Sequence, residues 1–307
     1  MKVSYGLPTH RVDLGEELIS AGAITELARA AESAGFDAVH TTEHPFPDDA
    51  WLAHGGHHAL DPLIALSFAA AATSSIRLHT SLFIVTYRNP FLAAKGVATL
   101  DVLSQGRVIL GIGAGYLQGE FEALGVSFDD RNDRMDEAIV AMQQAWTGNS
   151  VTMSGAGFHA AGNTMLPRPA QKPHPPIWIG GNSRRAMRRA VEMGDAWAPH
   201  PSPKVAGSGA PAPMSSFEDL ARRLDDAHAH AEVVGRTAPL DICFVPEGLT
   251  ISHPGAVDEE AIVGSCRELA EVGVTWVVVA LPGETRQEQL ATVERWATAV
   301  LPVVHDL

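Results

Sequence analysis

A chain of 307 residues, 46% of them hydrophobic, can bury one large core or two modest ones, and its formal net charge of -14 leaves no cationic excess to displace counterions. That balance argues against nucleic acid and against an anionic membrane surface, and leaves small molecules as the partners to expect. Two cysteines, Cys243 and Cys266, are too few for a disulfide framework, MKVSYGLPTH lacks a signal-peptide core, and no run of about 18 apolar residues occurs, so a soluble cytoplasmic protein is expected.

Strand and helix patterns alternate along the chain. Val3 to Leu7 reads as a strand, followed by a helix with apolar Ile24, Leu27, Ala28 and Ala31 that Gly35 stops. Ala38 to Thr42 is the second strand. After a long loop, Asp61-Pro62 supplies the N-cap and first residue of an alanine-rich helix. The third strand runs from about Arg77 to Val85, and Asn89-Pro90 repeats the helix-start signal. Gly106 suits the left-handed residue beyond that helix. Arg107 to Ile112 then forms a short strand buried on both faces, opening into Gly113-Ala114-Gly115-Tyr116.

A helix from about Asn132 to Trp146 places Met135, Ile139, Met142 and Trp146 on one face and stops at Gly148. The 28 residues from Asn149 to Pro176 are too long for an ordinary connection and read as an insertion, with Val151 to Met153 and Phe158 able to pair as a hairpin. Ile177-Trp178-Ile179 is the fifth strand; Asn182 or Ser183 caps the next helix, which Gly194 ends. Asp195 to Ala198 is a brief sixth strand, and Pro199 to Ser216 reads as a mobile loop. Helix, strand, helix, strand and helix follow, at about Phe217 to Val234, Leu240 to Val245, Asp258 to Val272, Trp276 to Leu281 and Thr285 to Val300.

Eight strands, each followed by a helix, predict parallel pairing with helical crossovers. At this length they predict one α/β domain over residues 1–307, a (β/α)8 TIM barrel with an insertion after strand four; a doubly wound open sheet is the alternative. In a barrel, the loops after the strands carry function.

His44 after strand two is either a proton-carrying group at the mouth or a histidine satisfied by backbone. His54, His57 and His58 invite a metal reading, but the loop lacks the helix that gives His-Glu-x-x-His its specificity, so no metal is expected. Gly113, Ala114 and Gly115 let a flat ligand or a phosphate approach the backbone, with the Tyr116 ring and hydroxyl beside them. Gly180, Gly181, Asn182 and Ser183 precede a helix start and suit a phosphate. Of the arginines that follow, Arg184 and Arg185 oppose the helix dipole unless an anion or carboxylate is present, while Arg188 and Arg189 read as a solvated face. Thr80 and Ser81, polar in an apolar strand, either pair within the barrel or face a ligand ring.

Together these segments have a family likeness: Thr42-Glu43-His44; RLHTSLFIVTYRNPFLAAKGVATLDVLSQGR at 77 to 107; LGIGAGY at 110 to 116; Glu120-Phe121 with Leu124-Gly125, then Arg131 and Glu137; and PPIWIGGNSRRAMRRAVEMGDAW at 175 to 197. The chain resembles the luciferase-like flavin-dependent oxidoreductases, and within them the branch using the deazaflavin coenzyme F420. The resemblance implies hydride transfer between the deazaflavin C5 and a small organic substrate: a ketone, imine, activated alkene or alcohol. It implies a bulge with a non-prolyl cis peptide at Ser81-Leu82 behind the ring, phosphate held at Gly180 to Ser183, Tyr116 along the tail or ring, and His44 near the hydride-carrying carbon. His44 and Tyr116 are then the catalytic candidates, with Thr80, Ser81, Leu82, Gly113, Ala114 and Gly115 among the cofactor contacts. Homodimers are common among such proteins. The alternatives are an FMN-dependent monooxygenase fed by a separate flavin reductase, and a non-catalytic flavin-binding relative. Some members carry an acidic proton donor where Tyr116 stands, and a tyrosine with an ordinary pKa of about 10 is a poorer acid. Pro199 to Ser216 offers only Lys204 and His200 as basic groups. Both departures argue against a sugar-phosphate dehydrogenase.

Overall fold

The computed structural model describes residues 1–202, 212–247, 249–250, 253–254 and 258–307. Eight parallel strands close a barrel: β1 (Lys2–Gly6), β2 (Ala38–Thr41), β3 (Arg77–Ile84), β4 (Val108–Gly113), β5 (Ile177–Gly180), β6 (Ala196–Ala198), β7 (Asp241–Phe244) and β8 (Trp276–Val279). Lys2 pairs with Trp276 and Ser4 with Ala38, so β1 joins β8 to β2 and leaves no open edge. The open-sheet alternative is thereby set aside.

Eight helices form the outer ring: α1 (Ala21–Ala34), α2 (Pro62–Ala72), α3 (Pro90–Leu103), α4 (Arg131–Trp146), α5 (Arg184–Met193), α6 (Phe217–Val234), α7 (Glu259–Glu271) and α8 (Arg286–Ala299). Their starts follow the expected chemistry. Asp61 accepts from the amide of Ile64 at 3.0 Å and Asn89 from that of Phe91 at 2.9 Å. Between Asn182 and Ser183, it is Ser183 that caps α5. Gly35 and Gly106 take positive φ where α1 and α3 end.

Period-two alternation divides the strand residues. Val3, Tyr5, Val39, Leu78, Leu110, Ile179, Trp197, Ile242 and Val277 face the helices in the main core. Ala38, Ile109, Trp178, Ala196, Cys243 and Trp276 form a second cluster inside the barrel. Both cysteines are buried and unpaired.

Other differences from the sequence reading are local. β3 ends at Ile84 and passes into a 3-10 turn at Val85–Tyr87. The insertion's hairpin pairs Val151–Gly155 with Phe158–Asn163, longer than expected. Short helices at Asp49–Ala53, Gln118–Ala123 and Leu301–His305 were not foreseen, because one or two turns carry too little periodicity. Within the expected mobile loop, residues 203–211 lie outside the described residues. Its ends are tied, with Ser202 and Met214 exchanging two backbone hydrogen bonds of 2.9 Å. Among the described residues, no helix is long and apolar enough to cross a membrane.

Candidate active site

A cavity of about 630 Å³ opens at the carboxyl ends of the strands, within the usual range for ligand sites. His44, Ser81, Leu82, Gly113, Ala114, Gly115, Tyr116, Gly180, Gly181, Asn182 and Ser183 all line it, although they come from loops far apart in the chain. Thr80 does not. It faces away from the cavity, fully buried, and its hydroxyl donates to the Gly111 carbonyl at 2.8 Å, tying β3 to β4.

One wall is made of rings. His44 stands 4.5 Å from Trp51, 4.9 Å from His57 and 6.0 Å from Tyr116 between ring centroids. Burial pushes His57 down to about 3, so that ring is neutral. Behind His44 lies Glu120, on the short helix Gln118–Ala123. Its Oε2 is 3.4 Å from His44 Nδ1 and accepts from the Tyr87 hydroxyl at 2.7 Å, while Oε1 accepts from the Phe46 amide at 3.2 Å. A carboxylate there accepts from Nδ1-H of His44, which leaves Nε2 to face Tyr116. The Tyr116 hydroxyl is 3.5 Å from that Nε2. Burial, then the Glu120 charge, push Tyr116 up to about 12, so its phenol is protonated at neutral pH. His44 thus meets side chains, Glu120 and Tyr116, at its two ring nitrogens.

Next to His44, Glu43 pairs with Arg88 and accepts from the Ile84 amide at 2.5 Å. The Arg88 guanidinium also lies 4.0 Å over the Phe83 ring. These contacts join the ends of β2 and β3, and burial raises the Glu43 carboxyl's pKa despite Arg88.

Glycines and Leu82 line a further part of the cavity. Register between β3 and β4 shifts between Thr80 and Phe83, and the Ser81-Leu82 peptide is cis. Leu82 packs against glycines. A Cβ on Gly180 would overlap Leu82 Cδ1, and one on Gly113 would lie 3.3 Å from it. Gly115, at φ +77°, has no room for a Cβ beside Phe121.

At the α5 end, Trp197 Nε1 donates to the Gly181 carbonyl at 2.9 Å. Asn182 spends its side chain on the chain beyond β6: it accepts from the His200 amide and donates to the His200 and Ala212 carbonyls, each at 2.8 Å. Its side chain thus ties the Gly180 to Ser183 loop to the chain beyond β6. Arg185 meets the carboxylates of Asp133 and Asp136, which relieves its clash with the helix dipole. The solvated-face reading holds for Arg188 and fails for Arg189. Arg189 is buried, because it pairs with Asp136 and donates to the Asn132 carbonyl at 3.0 Å. Arg131, whose guanidinium lies over the Phe128 ring, brings a further cation to this end.

Of the loop histidines, His57 joins the ring wall and His54 bonds the Ala50 carbonyl at 2.7 Å. Among the described residues no cluster of three metal-ligating side chains occurs. Glu120, Tyr87, Trp51 and Arg131 were not singled out from sequence as site residues. Trp51, a large aromatic in a polar loop, carried a signal; the burial of Glu120 carried none.

Fold and site together define a (β/α)8 barrel protein with a rim cavity lined by glycines beside Leu82 and by a histidine-tyrosine pair. The chain belongs to the luciferase-like monooxygenase family, which it matches over residues 1–262, and is an oxidoreductase. It is 32% identical to the F420-dependent glucose-6-phosphate dehydrogenase of Microbacterium testaceum, over 80% of this chain and 68% of that protein. Among solved structures, monooxygenase RslO1 from Streptomyces bottropensis superposes with a TM-score of 0.81 at 21% identity, covering 100% of both chains. The coenzyme F420-dependent tetrahydromethanopterin reductase from Methanopyrus kandleri does so at 0.74 and 18%, covering 98% of this chain and 99% of that one.

Proposed function

We propose that this protein is a coenzyme F420-dependent oxidoreductase acting on a small ketone, imine, activated alkene or alcohol. The observation that carries the reading is the chain Glu120, His44, Tyr116 meeting in one cavity with Leu82 and its glycines. The 32% identity to a relative named as F420-dependent supports the cofactor choice.

The residues present suit a flat ring: Gly113 and Gly180 have no side chains to crowd Leu82, and all three line the cavity. When bound, the deazaflavin supplies a hydride donor or acceptor at its C5. Leu82, Gly113 and Gly180 would back the ring; the amides at the start of α5, with Arg131, would hold a phosphate. His44 Nε2 would take the proton of an alcohol substrate, or return it to the oxygen of a carbonyl substrate, while Glu120 balances the positive charge His44 then carries. The Tyr116 hydroxyl would orient the same oxygen.

Titration of the purified protein with F420 and with FMN tests the reading. F420 is expected to bind, and His44→Ala and Tyr116→Phe to keep affinity within about threefold while turnover falls at least about a hundredfold. Tight FMN binding with no F420 binding would overturn it, and oxygen consumption with reduced FMN would favour a monooxygenase.

A further inference from the structure

Beneath the cavity, the barrel interior departs from the branched aliphatic filling usual there. Ser4 of β1, His40 of β2 and His79 of β3 point inward on neighbouring strands, each at most 2% exposed. Ser4 Oγ is 3.0 Å from His40 Nδ1 and 3.3 Å from His79 Nδ1. Glycines make room for the rings: a Cβ on Gly6 would lie 2.9 Å from His40 Nε2, and one on Gly111 3.0 Å from His79 Nε2. Polar groups in such a place are costly, and the chemistry above uses none of these three.

One hydroxyl hydrogen serves two Nδ1 atoms, so the tautomers of the rings are coupled. If Ser4 donates to His40, His79 keeps its bond by donating to Ser4; if Ser4 turns to His79, both roles reverse, and for both rings to donate the Ser4 hydrogen would need a third acceptor, which is not found among the described residues. In the first arrangement His40 carries its proton on Nε2 and the Nε2 of His79 is bare. In the second, His79 carries the proton on Nε2. That atom is sealed and has no partner, and a sealed N-H without an acceptor is the rarer and costlier defect. The first arrangement is favoured and leaves an N-H on His40. His40 borders the cavity, and its side-chain hydrogen bond among the described residues is made through Nδ1. Burial pushes His40 down to about 3 and His79 well below the ordinary value, so both rings are neutral.

We propose that His40, with its tautomer set by Ser4 and His79, is a neutral hydrogen-bond donor in the cavity floor that binds a carbonyl oxygen on the imide edge of the ring ligand. The proposal rests on the cavity being a deazaflavin site. Ser4 and His79 are positioning residues, and their effect on the ligand passes through His40.

Two measurements on the full chain test it. Nitrogen-15 NMR of labelled histidine side chains, without ligand, is expected to give the Nε2-H tautomer for His40 and the Nδ1-H tautomer for His79, with His79 losing that preference in Ser4→Ala. Fluorescence titration with F420 is expected to weaken about tenfold in His40→Leu, about threefold in Ser4→Ala, and to recover to within about threefold in His40→Gln, whose amide can donate. Reversed tautomers with intact F420 binding overturn the triad alone. Unchanged affinity in His40→Leu overturns the donor role. A wild type that binds no F420 overturns the cofactor reading and, with it, the ligand half of this proposal.

Discussion

The Glu120 carboxylate lies 3.4 Å from Nδ1 of His44 and has no exposed surface. It also takes the Tyr87 hydroxyl and the Phe46 amide, so three donors converge on one buried anion. Glu120→Gln puts an amide N-H against one of them. A loss of about 1–3 kcal/mol in urea unfolding is expected, with turnover at least tenfold lower and F420 affinity within about threefold. If rate and stability both match wild type, Glu120 does not orient His44.

Leu82 and Gly180 share one space. Gly180→Ala drives its methyl into Leu82 Cδ1 and displaces that side chain into the cavity. F420 affinity is expected to fall at least about tenfold. Adding Leu82→Ala should restore part of it, so the two changes are non-additive in a double-mutant cycle. Additive losses would mean that Leu82 does not back the ring.

Glu32 of α1 accepts at Oε1 from the amides of Ser74, Ser75 and Ile76 at 2.9, 2.6 and 3.0 Å and from the Ser75 hydroxyl at 2.8 Å. Burial opposes ionisation, yet these bonds outweigh it and hold the carboxyl down to about 2. A depressed carboxylate stabilises the fold above its unfolded pKa near 4.5, and that contribution disappears as pH falls toward 2. Glu32 is half-buried at the surface, where solvent screens it, so the effect is about 1 kcal/mol. Glu32→Gln should unfold earlier than wild type in urea at pH 7, and the gap should close by pH 2. A pH-independent gap would assign the loss to something other than charge.

The chain has three tyrosines, and burial raises all three: Tyr116 to about 12, Tyr5 and Tyr87 further. Native protein should show almost no tyrosinate absorbance at pH 10, where unfolded chain is half ionised. Because the folded values lie above the unfolded one, this part of stability is complete below pH 10 and lost as pH rises through 12 and beyond. Tyr116→Phe should remove the first tyrosinate to appear; a wild-type transition near pH 10 would contradict the packing described around these hydroxyls.

Much of the barrel was legible because its signals are local. Asp61-Pro62 and Asn89-Pro90 announce helices through their own side chains and ring constraints, and Gly35 and Gly106 mark ends that need positive φ. Strand-helix alternation then gives the count of eight. Position after a strand was enough to nominate His44, Tyr116 and the Gly180 to Ser183 loop.

The remaining features depend on atoms brought together by folding. Thr80 and Ser81 are adjacent and both polar, yet one is tied to Gly111 and the other reaches the cavity, since alternation in β3 sends Thr80 to the side of Leu78 and Ser81 to that of His79. Asn182 looked like a phosphate contact and instead holds His200 and Ala212, because its partners return to it only after β6. Glu120 sits in an ordinary acidic segment until Tyr87, Phe46 and His44 converge on its carboxylate. The sequence by itself determined the barrel and the loops that carry the site, since caps, turns and periodicity act over a few residues. Only the tertiary structure decided which polar groups face the ligand cavity and which are spent on one another, since burial and hydrogen-bond partnership are properties of the packed whole.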